Sequence, residues 1–369
     1  MADTKPRAQT VHGLAKVAVL GAGWWGTTAH VPALAANPKA DLVVVQHHDA
    51  ETAARIADDF GVAHGVTTAE QLLAIDGLQA VVISSVPSLH YAQAMAALEA
   101  GLHILVEKPL CFSGAEGYHI AAAAEERGLH AMVGTTYHFT SHAIEARRLM
   151  LAGELGEPRA ITMLFTNITK GLYLGLSFAD AMATGGELRN EHKPPYLAPG
   201  RDTYSSAAVS GGGQIHTQVA HAAAYVSYLT DARPVEVFAK LENDGAPVDV
   251  YDAILMTLDN GALVTLSSNG TATARTMHYE VRVHATGGIL DQELWKGTLR
   301  TEVRGGDVTE YPQLATEADT YPTGAPANNL VDAVLGDAEP ISPIYHGAFA
   351  AQVSEAAIES ARTDQPVRL

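Results

Sequence analysis

Short apolar runs separated by stretches of helical spacing set the rhythm of the first third of the chain. Lys16-Val17-Ala18-Val19-Leu20, Asp41 to Val45, Ala80 to Ile83 and His103 to Val106 have strand character. Between them, Thr27 to Ala36, Glu51 to Phe60, Ala69 to Leu73 and Leu89 to Ala100 read as helices, the last closed by Gly101. Strands alternating with helices predict a parallel, doubly wound sheet. The rhythm changes from Pro158 to Asn167 onward: Val235 to Lys240, Ala253 to Leu258, Ala262 to Ser267 and Tyr279 to His284 alternate apolar and polar residues, predicting a second sheet. Leu258-Asp259-Asn260-Gly261 supplies a hairpin turn within it. A closing helix, Ala348 to Arg362, turns Phe349, Val353 and Ala356 inward, whereas the run Ala121 to Ala124 reads as helix surface.

Composition narrows the function classes. At 369 residues, with 47% hydrophobic and 17% charged residues, the chain exceeds what one core covers and fits two globular domains. A formal charge of -18 and no lysine or arginine cluster argue against a nucleic-acid partner. Cys111, a single cysteine, excludes an intrachain disulfide and a multi-cysteine metal site and reads as a small packing residue. The polar start, Met1 to His12, and the lack of any run near the roughly 20 apolar residues of a membrane span point to a cytoplasmic protein without a membrane partner. Residues 1–14 read as a flexible leader.

Chemistry enters at Gly21-Ala22-Gly23-Trp24-Trp25-Gly26, between the first strand and the first helix. Gly21 permits a tight turn, Gly23 lets backbone N–H groups approach a pyrophosphate, and Gly26 lets helix and strand pack closely. Residues 15–136 are therefore predicted to form a Rossmann dinucleotide-binding domain, with Trp24 and Trp25 at the cofactor. Ligands of such sheets sit beyond the strand carboxyl ends, where Ser84, Val86, Pro87, Glu107, Lys108 and Pro109 fall. The second strand ends in Gln46-His47-His48-Asp49, so His47 holds the position where a ribose-binding carboxylate is expected, with Asp49 within reach of the ribose. Without an arginine there, NAD is the expected cofactor, with NADP as the alternative.

The glycine motif, Val86-Pro87-x-x-His90, Gly101-x-His103-x-x-x-Glu107-Lys108-Pro109 and the later Gly211-Gly212-Gly213 with His221 together resemble the Gfo/Idh/MocA family of sugar oxidoreductases over nearly the full chain. The resemblance implies that residues 137–369 form an α+β domain on a large, mostly antiparallel sheet that binds substrate and carries a homodimer or homotetramer face. It places Lys108 beside the nicotinamide, bonded to the reacting hydroxyl, and His90 in the cofactor half. It also implies an aspartate and a histidine four residues apart after the glycines. His221 keeps the histidine place and is the expected general base or acid. Thr217 stands in the aspartate place and cannot carry its charge, so His216, Gln214 and Gln218 are candidates to compensate. No metal is expected, since His216 and His221 lie off one helical face and lack a third ligand.

The segment from Ile168 to Ser210 reads as a long functional loop. Tyr137, His138, Lys193, Arg201 and Tyr204 are nominated as pocket residues for a carbohydrate. Convergence of Lys193 and Arg201 would favour an anionic sugar. The expected activity is hydride transfer between nicotinamide and a secondary hydroxyl of a sugar, sugar acid or glycoside. Two alternatives stand beside it: a redox-neutral, NAD-dependent glycoside hydrolase working through transient C3 oxidation, elimination and water addition, and a non-catalytic NAD(P)-binding sensor.

Overall fold

The computed structural model describes residues 13–185 and 195–369. The leader and Lys193 thus fall largely or wholly outside the described residues. Six strands, β1 (Ala15–Leu20), β2 (Ala40–Gln46), β3 (His64–Val66), β4 (Ala80–Ile83), β5 (His103–Val106) and β6 (Ala131–Val133), form a sheet in the order β3-β2-β1-β4-β5-β6. Every neighbouring pair is parallel. Buried on both faces, β1 and β4 are apolar throughout rather than alternating, apart from the exposed Lys16. Strand order reverses between β1 and β4, which opens a crevice at their carboxyl ends.

The second sheet has nine strands: β7 (Pro158–Thr166), β8 (Pro234–Glu242), β9 (Tyr251–Leu258), β10 (Leu263–Asn269), β11 (His278–Ala285), β12 (Gly288–Glu293), β13 (Thr298–Val303), β14 (Val308–Glu310) and β15 (Val367–Arg368). The β7 and β10 pair is parallel and the other pairs are antiparallel, as the large mostly antiparallel sheet requires. The predicted hairpin joins β9 to β10, with Gly261 N–H donating to Leu258 O at 2.9 Å and Gly261 at φ +81°. Val219–Thr230 and Ile344–Thr363 pack on the inner face of this sheet.

Three expectations are corrected. The regular helix from Thr27 begins instead as a π-turn, Gly26–His30, in which Val31 N–H bonds Gly26 O, before Val31–Ala36 continues as α-helix. Ala121, Ala123 and Ala124 are buried, because Gly114–Arg127 is sandwiched between the first sheet and Ile344–Thr363, where small side chains permit close approach. The long segment after Ile168 is not plain loop: Lys170–Tyr173, Phe178–Thr184, Asp202–Ser205 and Ala207–Ser210 are short helices. The helix Ala325–Leu335 buries Ala327, Leu330 and Val331 against Val17, Val19 and Val82, so the late chain completes the first domain's core. Among the described residues no helix is long and apolar enough to cross a membrane.

Candidate active site

One cavity of about 560 Å³ runs from the crevice of the first sheet to the helices of the second domain. Its first half is built by the glycine turn. Gly21 has φ +87°, and a Cβ there would lie 2.4 Å from Ser85 N, so the turn closes only with glycine. Above Gly23 a Cβ would meet nothing, leaving a bare backbone wall on the cavity. Ser84 Oγ, at the end of β4, is buried without a partner among the described residues while its residue lines this cavity. Together they offer an open backbone surface and an unsatisfied hydroxyl at the start of a helix, which fits a pyrophosphate-bearing dinucleotide. Trp24, Trp25, His47, Val86 and Pro87 line the same half.

Several nominated residues frame this half without lining it. Gly26 packs its backbone on Gly21, where a Cβ would lie 2.8 Å from Gly21 O. The His90 ring lies between Pro109 O at 2.8 Å and Ser85 O at 3.1 Å, tying the turns after β4 and β5 together. Asp49 does not reach for a ribose; it caps the helix Ala50–Phe60, accepting Thr52 N–H at 2.8 Å, and this bonding holds its carboxyl below the usual range. Gln46, not anticipated, does local work at the ribose end: Oε1 accepts Gly21 N–H at 3.0 Å and Nε2 donates to Thr67 O at 2.8 Å.

Where the halves meet stand Glu107, Lys108 and Pro109, with a cis bond between the last two. Lys108 is half-buried, and its Nζ makes only a stretched 3.5 Å bond to Thr217 O, leaving donors for a ligand. Burial lowers its pKa from the ordinary lysine value, against the pull of Glu107. His221 lines the cavity opposite; burial first and the Lys108 charge second push its pKa well below 6.5, so the imidazole is neutral and able to accept a proton. Thr217 also lines the cavity. Its hydroxyl donates to Gly213 O at 2.9 Å and meets the Tyr173 hydroxyl, a neutral pair. Gln218, Tyr137 and Tyr204 complete the expected wall, and Tyr137 contacts His221 edge-on at 5.7 Å.

Other nominations are corrected. His216 turns away from the cavity onto Phe112, with centroids 5.4 Å apart, and burial lowers its pKa to about 4; it is a packed neutral ring. Gln214 is fully buried behind the wall, accepting from Thr169 at 3.0 Å and Tyr173 at 2.7 Å. His138 follows Tyr137 in a 3-10 turn that sends the two rings apart; it stacks on Tyr228 at 4.2 Å and bonds Ser342. Arg201 is exposed beside Asp202–Ser205 and does not line the cavity, which removes half of the charge argument for an anionic sugar. Tyr173, Tyr279, Trp295 and Tyr321 line the substrate half unanticipated, because alternation reveals that a residue is buried but not what it faces. Asp249 was missed as well: its carboxylate accepts Gly213 N–H at 2.8 Å and Ile215 N–H at 2.6 Å and so pins the glycine turn.

Residues 15–135 match the model of an oxidoreductase family with an NAD-binding Rossmann fold, and residues 182–291 match the Gfo/Idh/MocA C-terminal domain. The 1,5-anhydro-D-fructose reductase of Ensifer adhaerens is 24% identical over 89% of this chain and 91% of its own. A 4-carboxy-2-hydroxymuconate-6-semialdehyde dehydrogenase of a Sphingobium species is 33% identical over 38% of this chain and 44% of its own. Three curated relatives, that dehydrogenase among them, are covered over only 30% to 44% of their lengths. In fold, the chain is similar to an oxidoreductase domain protein from Kribbella flavida, with TM-score 0.79, 23% identity and coverage of 96% and 99% of the two chains.

Proposed function

Because the chain belongs to the Gfo/Idh/MocA oxidoreductase family, we propose that it moves hydride between NAD and a secondary hydroxyl carbon of a sugar, sugar acid or glycoside. The observation that carries this reading is the meeting of Lys108, from the end of β5, with His221, from the helix Val219–Thr230, across one cavity beside the glycine turn. Bound against Gly21, Gly23 and Ser84, NAD would supply a two-electron acceptor at its nicotinamide. In its ammonium form Lys108 donates to the substrate oxygen and steadies the charge that grows there. His221, neutral, takes the hydroxyl proton; in the reverse direction it returns it. Tyrosines 137, 204, 279 and 321 offer aromatic faces and hydroxyls to a polyol. The reductase activity named for the Ensifer relative supports a sugar-like substrate.

Preference for NAD over NADP rests on the ribose end, where His47 and His48 lie tilted against each other at 4.3 Å and Arg55 is engaged over the Tyr196 ring at 5.3 Å rather than offered to a phosphate. Leu255, Leu263 and Tyr251, exposed on the solvent face of the second sheet, support a homodimer or homotetramer through that sheet, which sedimentation measures.

The test incubates the purified protein with NAD or NADP and a panel of free sugars, sugar acids and aryl glycosides, reading reduced cofactor and released aglycone together. Reduced cofactor matched to consumed substrate is the expected result. Aglycone without net reduction would instead establish the redox-neutral glycosidase, and neither signal, with NADH still bound, a sensor.

A further inference from the structure

The sequence pattern makes Trp25 and His30 unlikely neighbours. Five residues apart on an α-helix they would point roughly 140° away from each other, at about 100° per residue. The π-turn Gly26–His30, whose bonds run from residue i to i+5 and widen the helix, narrows that separation. Both side chains reach the same atom: Trp25 Nε1–H donates to Glu107 Oε1 at 3.0 Å, and His30 Nε2 lies 2.9 Å from it. A carboxylate only accepts, so the His30 proton sits on Nε2, which leaves Nδ1 without a partner among the described residues. The second oxygen, Glu107 Oε2, accepts the backbone N–H of Lys108 at 3.1 Å. Room for the carboxylate is made by Gly134, where a Cβ would lie 2.4 Å from Oε1. From Trp25 an aromatic wall continues through Tyr321 at 6.1 Å and Tyr137 at 4.8 Å to His221 at 5.7 Å.

We infer that Trp25, His30 and Glu107 form a positioning unit: a carboxylate held by two ring N–H groups fixes the backbone under Lys108 and the aromatic wall leading to His221, aligning the two groups that handle the hydroxyl proton. His30 is the member without contact to the cavity, and so acts only through Glu107. The inference rests on the hydride-transfer reading.

The experiment compares His30→Leu, which removes the donor, His30→Gln, whose amide N–H restores one, and Trp25→Phe, which keeps a ring without its N–H. All three tryptophans line the cavity, so energy transfer from tryptophan to NADH reports cofactor binding without turnover. The expected result is that His30→Leu lowers kcat about 10-fold or more, the worth of one charge-assisted bond, with NADH affinity and KM within about 2-fold. His30→Gln recovers most of it, and Trp25→Phe loses kcat in the same direction. Wild-type kcat in His30→Leu, or a glutamine no better than leucine, overturns the unit; should His30→Leu not fold, unchanged kcat in Trp25→Phe does so. A wild-type protein that binds NADH yet turns over no member of the panel overturns the hydride-transfer reading itself, and the unit with it.

Discussion

Lys108 and His221 carry opposite demands on protonation, and burial shifts both the same way. Lys108 must be an ammonium and His221 neutral; both have lowered pKa values, burial being the main cause. The pH profile of kcat/KM for oxidation is therefore expected to be a bell whose acid limb lies below 6.5 and whose alkaline limb lies below 10.5, the ordinary values. Lys108→Met should lower kcat by about 10²- to 10⁴-fold and leave NADH binding in place, read by energy transfer from tryptophan. Thr217→Asp would return a carboxylate beside the stretched Lys108 contact, and the alkaline limb should then move up. At this scale the sequence was legible where motif and chemistry coincide, at Gly21, Gly23, Lys108 and His221. It was misleading at His216, His138 and Asp49, whose residue types fit the chemistry but whose neighbours in the chain decide which way they face.

Among the elements, the turn before Val219–Thr230 depends on Asp249, in the segment that leads into β9. Asp249 accepts two N–H groups of the glycine turn, and Asp249→Ala is expected to cost about 1–3 kcal/mol per stranded N–H, measured by denaturant unfolding. Asp252, buried beside it, has a pKa raised well above the usual carboxyl value, by burial and then by Asp249. A raised folded pKa means that stability is lost as pH rises, so Asp252→Asn should stabilise the protein at pH 7 and much less at pH 4, seen as a change in Tm. Strands with clean alternation, β7 to β11, stood out in the sequence. The strands β12 and β13 did not, because Asp291, Gln292, Glu293, Arg300 and Glu302 dilute the apolar rhythm. The π-turn could not be read either, since its helical neighbours carry the same spacing signals.

Across the whole molecule, the buried histidines couple folding to pH. His138 and His221 are held well below 6.5 by burial first, and His216 and His346 are lowered to about 4, also by burial first. Each binds a proton in the unfolded chain before it can do so when folded. Their contribution is thus complete above 6.5 and lost as pH falls toward 4, and calorimetry should show Tm dropping by about 5 °C or more between pH 7 and pH 5. The two sheets were legible from the change of rhythm at Pro158. The return of the late chain to the first domain was not, because the apolar face of Ala325–Leu335 says that it is buried without naming its partner.

That return sets an order of events during synthesis. The glycine turn and all six strands of the first sheet leave the ribosome well before Leu330, Val331, Ile344 and Ala348, which cover the two faces of that sheet. The nascent sheet waits with apolar surface uncovered until Ala348 has emerged, and a chain stopped before Ala325 keeps its nucleotide-binding motif while lacking that cover.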